Sequence, residues 1–311
     1  MRNGGLIMDL NNIIEEARIA QNEFILSRCD SKAIVDDFKN YIDKNFDLLQ
    51  RASEIDKNEI LSKEKVLQLF EVSDFEDNKT DAFQNEFGNV GKLFVPYGVL
   101  GVLSNSDVFT NLRLIILSVL TKNSMIFNIE NSLGANYFVI QGINDVLQKY
   151  GVHNLFQIYN NNAGEHLEES EKLDGIVFVG KKANYERIKI SSAKPVIFSG
   201  CGNYEIYIED ALDRKVISEI LKTPNVKVYS KKGLGFGQEV SGLEEAMLRI
   251  NETGSEYASG IITESRDNAK IFVNNIKSRN LFVNAAPTLM DNKLDIEAQN
   301  LMYKKSVLVY E

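Results

Sequence analysis

Cysteine and histidine, the side chains most used as nucleophile and general base, are scarce in this sequence. Its 311 residues include two cysteines and two histidines. Cys201 stands between two glycines in FSGCGNYEIYIEDALD, at the end of an apolar run. A cysteine so placed reads in two ways. As a nucleophile it would attack a carbonyl carbon, its thiolate held by backbone N–H groups that Gly200 and Gly202 leave free. As a small apolar residue it would fill a tight bend. Glu205, Glu209 and Asp210 follow, and negative charge close in space would raise a thiol pKa. His153, in the turn YGVHNLF, and His166, in an acidic segment, have no cysteine near them in sequence and read as solvated or capping residues. No CxxC or clustered Cys/His spacing suggests a metal, so none is expected.

The other motifs point to anions. GLGFG (residues 233–237) invites a phosphate-loop reading but lacks the Lys-Ser/Thr pair of a P-loop. The dinucleotide fingerprint needs a further glycine three residues after a G-x-G pair, and that position holds Gln238 or Val240, depending on the register. A flexible connection is the better reading. Lys181 and Lys182 form a basic pair after the apolar run GIVFVG, suited to an anionic ligand or to solvent. Glu168, Glu169 and Glu171 read as a solvated face.

The elements that must position these residues change style along the chain. Residues 9–72 read as helix after helix, with apolar residues at helical spacing in LNNIIEEARIAQNEFIL and no proline. From residue 91 onward short apolar runs alternate with helical segments: KLFVPYGVLGVLS as two strands broken at 96–98, then NLRLIILSVLTK, SMIFNI, GANYFVIQGINDVLQKYG, NLFQIY, GIVFVG and KPVIFSG. That alternation predicts a parallel sheet with right-handed crossovers, whose ligands sit at the carboxyl ends of the strands. A second, smaller α/β unit is predicted over about 198–284. The domain boundaries expected are 1–197, 198–284 and a return at 285–311.

Bulk properties narrow the class. A hydrophobic fraction of 44% with 25% charged residues is that of a globular protein. The net charge of -9 argues against a nucleic-acid partner. The longest apolar candidate, LIILSVL, is too short to span a bilayer, and MRNGGLIMDLNN lacks the pattern of a signal peptide. A cytoplasmic protein without membrane or nucleic-acid contacts is expected.

Three ordered segments, at 96–101, 195–213 and 254–286, resemble the aldehyde dehydrogenase superfamily and most closely the gamma-glutamyl phosphate reductases. They match that family's P-x-G-V-x-G strand turn, its PV…G-x-GN…YVD…AD segment and its GS…AIVTE…VYVNAS segment. The resemblance implies an α/β fold, doubly wound and Rossmann-like, with a helical N-terminal section and a second catalytic domain. It implies NADP(H) as cofactor, a cysteine nucleophile, an oxyanion asparagine, and a homo-oligomer joined through a strand flap, here KLFVPYG with the terminal SVLVYE strand. Carried over by position, the cofactor contacts fall on Ser104, Asn128, Gly180, Lys181 and Lys182, and Cys201 is the one catalytic candidate.

Several positions depart from the family pattern. The family's cysteine follows the YVD…AD segment across one helix, whereas residues 214–240 here contain none, so the second domain is expected to be reduced. Phe109 falls where the oxyanion asparagine should be, and Asn128 with Glu130 where a basic residue and glycines should meet the cofactor. Cys201 aligns inside the G-x-GN turn instead of at the nucleophile. The reading that follows is a protein of this fold with little or no reductase activity and a binding, regulatory or assembly role, through self-association or another protein partner. Two alternatives stay open: an NADP(H)-dependent reductase of an acyl phosphate or aldehyde, of the glutamate-5-semialdehyde type in proline biosynthesis, using Cys201 or a site completed by a partner, and an anion- or nucleotide-binding module built on Lys181, Lys182 and the glycine loop.

Overall fold

The computed structural model describes residues 9–57, 61–71, 83–85, 88–104, 107–129, 133–160, 166–200, 204–210, 214–223, 226–254, 257–286 and 296–309. Four helices open the chain: α1 (Leu10–Leu26), α2 (Ser31–Lys44), α3 (Phe46–Lys57) and α4 (Lys63–Gln68). Next come β1 (Phe83–Asn85), β2 (Gly88–Pro96), β3 (Val99–Leu103), α5 (Val108–Thr121), β4 (Ser124–Asn128), α6 (Leu133–Gln148), β5 (Phe156–Tyr159), β6 (Gly175–Gly180), α7 (Lys182–Ser191) and β7 (Val196–Gly200). The remainder is β8 (Tyr204–Ile208), α8 (Arg214–Lys222), β9 (Val226–Lys231), β10 (Gln238–Val240), α9 (Leu243–Thr253), β11 (Ala258–Ile262), α10 (Arg266–Asn275), β12 (Asn280–Val283) and β13 (Met302–Val309). The acidic segment after β5 holds a single 3-10 turn, Leu167–Glu169.

Packing divides the chain into two units. The first comprises Met1–Val179, Ile188–Ser199 and Leu294–Glu311; the second comprises Gly180–Arg187 and Gly200–Lys293. The first unit is built on a sheet of order β5-β4-β3-β6-β7. The chain winds outward from β3 to β5, then returns to β6 on the other side of β3. This reversal is the switch point of a doubly wound sheet. The fold class expected from the sequence is therefore present.

Local chemistry explains the elements around this sheet. In α1, Leu10, Ile13, Ile14, Ala17 and Phe24 recur on one stripe and are buried. Four of them pack with Val99, Ile126, Tyr159, Leu167 and Leu173, so α1 covers one face of the sheet. α5 is buried on nearly every side, as its run LRLIILSVL requires. Asp107 caps its start by accepting from the Thr110 N–H (2.9 Å), and Lys122 ends it in a left-handed conformation (φ 55°). α2 and α3 pack in turn against α5 and α6.

Beside this sheet stands a three-stranded antiparallel arm of order β1-β2-β13. β13 pairs with β2 from Met302↔Pro96 to Val309↔Asn89, which joins the predicted flap to the predicted terminal strand within one chain.

The second unit carries its own parallel sheet, of order β10-β9-β8-β11-β12. Tyr207, Tyr229, Ile261 and Phe272 form a core on one face, and Ile206, Ile208, Val228, Ile217 and Ile220 form one on the other. Among the described residues no helix is long and apolar enough to cross a membrane.

Candidate functional site

The carboxyl edge of the first sheet is where a doubly wound fold places a ligand. Strand register sets Leu103 opposite Asn128 on one side and Phe178 on the other, and Asn128 opposite Tyr159. Ser104 follows Leu103 directly, so two of the predicted cofactor residues, Ser104 and Asn128, meet at this edge. Ser104 Oγ donates to Asn111 Oδ1 (2.8 Å), and Asn111 Nδ2 donates to Asn136 Oδ1 (2.8 Å). Both asparagines are buried, and the chain of amides ties α5 to α6 behind the edge. Asn128 Oδ1 is buried with no hydrogen-bond partner among the described residues. An amide oxygen there can accept a hydrogen bond but offers no charge to an anion.

Backbone N–H groups at helix starts are the other means by which such a sheet holds phosphate. In α5 that position is taken by the chain's own Asp107 carboxylate. In α6, Asp56 of α3 reaches across, and its Oδ2 accepts from the Ala135 N–H (2.8 Å). A carboxylate at a helix start satisfies the dipole and repels a second anion. Phe109, half-buried in the first turn of α5, stands where the resemblance calls for an oxyanion asparagine. Its ring has no polar hydrogen to donate. The described residues of this edge do not fit a nucleotide phosphate.

Gly180 is the last residue of β6. Lys181 is exposed, and its carbonyl opens α7 by accepting from the Asn184 and Tyr185 N–H groups (3.0 and 3.2 Å). Lys182 is the first residue of α7, and its side chain lies outside the described residues. Cys201 also lies outside them, as does Glu130.

In the second unit the carboxyl ends of β8, β11 and β12 form a polar staple. Glu209, buried, accepts from Thr263 Oγ1 (2.5 Å) and from Asn268 Nδ2 at both oxygens (2.9 Å each). Asp210 accepts from the Glu264 N–H (2.9 Å), and Asn284 bonds both the N–H and the carbonyl of Thr263. These bonds tie the ends of β8, β11 and β12 to one another and to the first turn of α10. Burial, and then Glu209 and Asp210, push the nearby Tyr207 phenol up to about 12. Among the described residues no group of three or more His, Cys, Asp or Glu side chains could hold a metal ion.

The glycine loop differs from the flexible connection expected. It links the parallel neighbours β9 and β10, a join that ordinarily takes a dozen or more residues. Gly233, Gly235 and Gly237 all have positive φ (92°, 74° and 61°), which folds the chain back within a few residues. Leu234 and Phe236 are half-buried against the core, and the Gly233 N–H is taken by Glu239 Oε1 (3.0 Å). Again a carboxylate of the chain occupies the donor.

Sequence reasoning missed Asp56, Asn111 and Asn136. Each acts through a partner distant in sequence, and no local spacing marks them.

No family model matches the chain. It is 21% identical to gamma-glutamyl phosphate reductase of Clostridium perfringens over 343 aligned positions, covering 87% of this chain and 82% of that protein. The aligned length exceeds the chain's own 311 residues, so the relative has segments that this chain lacks. The homologue of Kosmotoga olearia is 22% identical, over 67% of this chain and 66% of its own length. Among solved structures, gamma-glutamyl phosphate reductase of Thermotoga maritima superposes with a TM-score of 0.74 at 15% identity, covering 97% of this chain and 98% of that one. Glyceraldehyde-3-phosphate dehydrogenase GapN of Methanocaldococcus jannaschii, complexed with NADP, gives 0.79 at 13% identity, covering 97% and 94%. The chain therefore has the aldehyde dehydrogenase fold, and its sequence is similar to gamma-glutamyl phosphate reductase over most of its length.

Proposed function

We propose that this chain is an aldehyde-dehydrogenase-fold protein that has left reductase chemistry and acts, in the cytoplasm, through assembly with a second copy of itself. The observation that carries this reading is the occupation of its anion sites. Carboxylates of the chain accept from the Thr110 N–H at the start of α5 and from the Ala135 N–H at the start of α6, where the fold would present donors to a cofactor phosphate. The chemistry that would follow binding lacks its parts as well. Thioester formation needs a thiol, and residues 214–240, where the resemblance places it, have none. Oxyanion stabilisation needs a donor, and Phe109 has none.

The arm supplies the alternative role. β13 is an edge strand among the described residues, with one partner, β2, and an outer side whose N–H and C=O groups can pair with another chain. Lys304 and Lys305 are exposed on it, while the whole chain carries -9. These lysines favour an acidic segment of a second copy as the partner over its own β13, where lysine would face lysine.

The competing reading, an NADP(H)-dependent reductase using Cys201, is separated by assaying NADPH oxidation with an acyl phosphate, in the native chain and in Cys201→Ser. The expected result is background rate in both. Turnover in the native chain that falls more than a hundredfold in Cys201→Ser would establish the reductase instead.

A further inference from the structure

One side chain holds both strands of the arm where they leave the body. Asn123, fully buried, lies between α5 and β4. Its Oδ1 accepts from the Gly98 N–H (2.9 Å), in the short turn between β2 and β3. Its Nδ2 donates to the Leu301 carbonyl (2.8 Å), one residue before β13, and to Thr121 Oγ1 (2.8 Å). The incoming and outgoing strands are thus gripped by opposite ends of the same amide, at the level of the first arm pair, Met302↔Pro96.

The grip is reinforced on the sheet side. Asp174 Oδ2 accepts from the Val99 N–H (2.7 Å) and from Arg18 Nη1 (2.8 Å). Gly98 adopts φ 127°, and a Cβ there would lie 2.2 Å from Asp174 Oδ2, so the turn fits only glycine. Tyr97 and Tyr303 rings meet across the root with centroids 5.7 Å apart.

From this root the paired strands run out to Val309↔Asn89. Seven steps of about 3.4 Å make an arm of roughly 24 Å, so a change of about 10° at the root moves its tip by about 4 Å. That is nearly the spacing between paired strands, about 4.8 Å, and would break register with a partner. Fixing the direction beforehand removes the ordering cost that a loose arm would meet on association.

We infer that Asn123 is the clasp that sets the direction of the arm and thereby permits self-association. The inference rests on the assembly reading above, and the role of Asn123 is positioning, since its side chain is fully buried. Sedimentation equilibrium of the native chain, Asn123→Ala, Asn123→Ser and Thr121→Val tests it. Thr121→Val removes the third bond of the same amide while leaving both strand links, and so controls for general loss of stability. Asn123→Ser keeps a small hydroxyl in the site should the alanine variant fail to fold. The expected result is a native oligomer whose dissociation constant rises at least tenfold in the Asn123 variants and stays within threefold in Thr121→Val. Native-like assembly of the Asn123 variants, or equal weakening in Thr121→Val, would overturn the clasp and leave the assembly reading in place. A native chain that is monomeric at every concentration would overturn both.

Discussion

Tyr207 shows what a single buried polar group implies for this protein. Its side chain has no exposure, and its hydroxyl has no hydrogen-bond partner among the described residues. Burial, and next Glu209 and Asp210, raise its pKa from 10.0 to about 12. In the unfolded chain the phenol loses its proton near the ordinary value, while the folded chain keeps it. The associated stability is therefore complete below pH 10 and is lost as pH rises toward 12, at up to about 1.4 kcal/mol per pH unit. Tyr207→Phe should flatten that alkaline limb and, by deleting an unpaired buried hydroxyl, stabilise the protein at neutral pH by about 1 kcal/mol. Urea unfolding at pH 7, 9, 10 and 11 would check both, and an unchanged alkaline limb would count against the assignment. Asp107→Ala, which removes the cap of α5, should cost about 1 kcal/mol in the same assay. The cap at Asp107 is local, since it accepts from the Thr110 N–H three residues on, yet it emerged only from the structure. Asp56, whose partner Ala135 lies on another helix, was not legible in the sequence, because only the packing of α3 on α6 brings them together.

At the scale of elements, the glycine loop offers the sharpest contrast. A Cβ on Gly235 would meet nothing within 4 Å, whereas one on Gly237 would lie 2.3 Å from the Val228 carbonyl oxygen. Gly235→Ala should therefore cost only the backbone strain of positive φ, about 1 kcal/mol. Gly237→Ala should cost clearly more, about 3 kcal/mol, and separate β10 from β9. Thermal unfolding of the two variants tests the difference, and equal losses would contradict it. The strands and helices themselves were legible wherever hydrophobic spacing was strong. VLGVL, SMIFN and GIVFVG became β3, β4 and β6, and the long apolar helix became α5. The short parallel return at GLGFG was not legible, since the usual rule asks for a longer crossover. Nor was the pairing of β2 with β13, which sequence pattern alone could only suggest as two exposed strands. Contacts between segments some 200 residues apart depend on the completed fold.

For the molecule as a whole, the proposed function separates the fold from the chemistry. The segments that build the two parallel sheets keep their apolar pattern, and the fold matches a solved gamma-glutamyl phosphate reductase across 97% of the chain. What fills the ligand edge of the first sheet is the chain itself: Asp107 and Asp56 on helix starts and a closed network of Ser104, Asn111 and Asn136. Fold therefore carries no warrant for activity here, and the site residues must. The absence of a cysteine in residues 214–240 and the presence of Phe109 were readable from the sequence; the carboxylate contacts at the starts of α5 and α6 required the structure. The most direct test of the account is a titration of the purified protein with NADPH, read as thermal stabilisation. A ligand at a hundred times its dissociation constant, bound only to the native state, would add about 2.7 kcal/mol, a readily measured rise in Tm. The account predicts no shift up to millimolar NADPH. A saturable rise would contradict it, showing that the cofactor edge is open and returning the chain to the reductases.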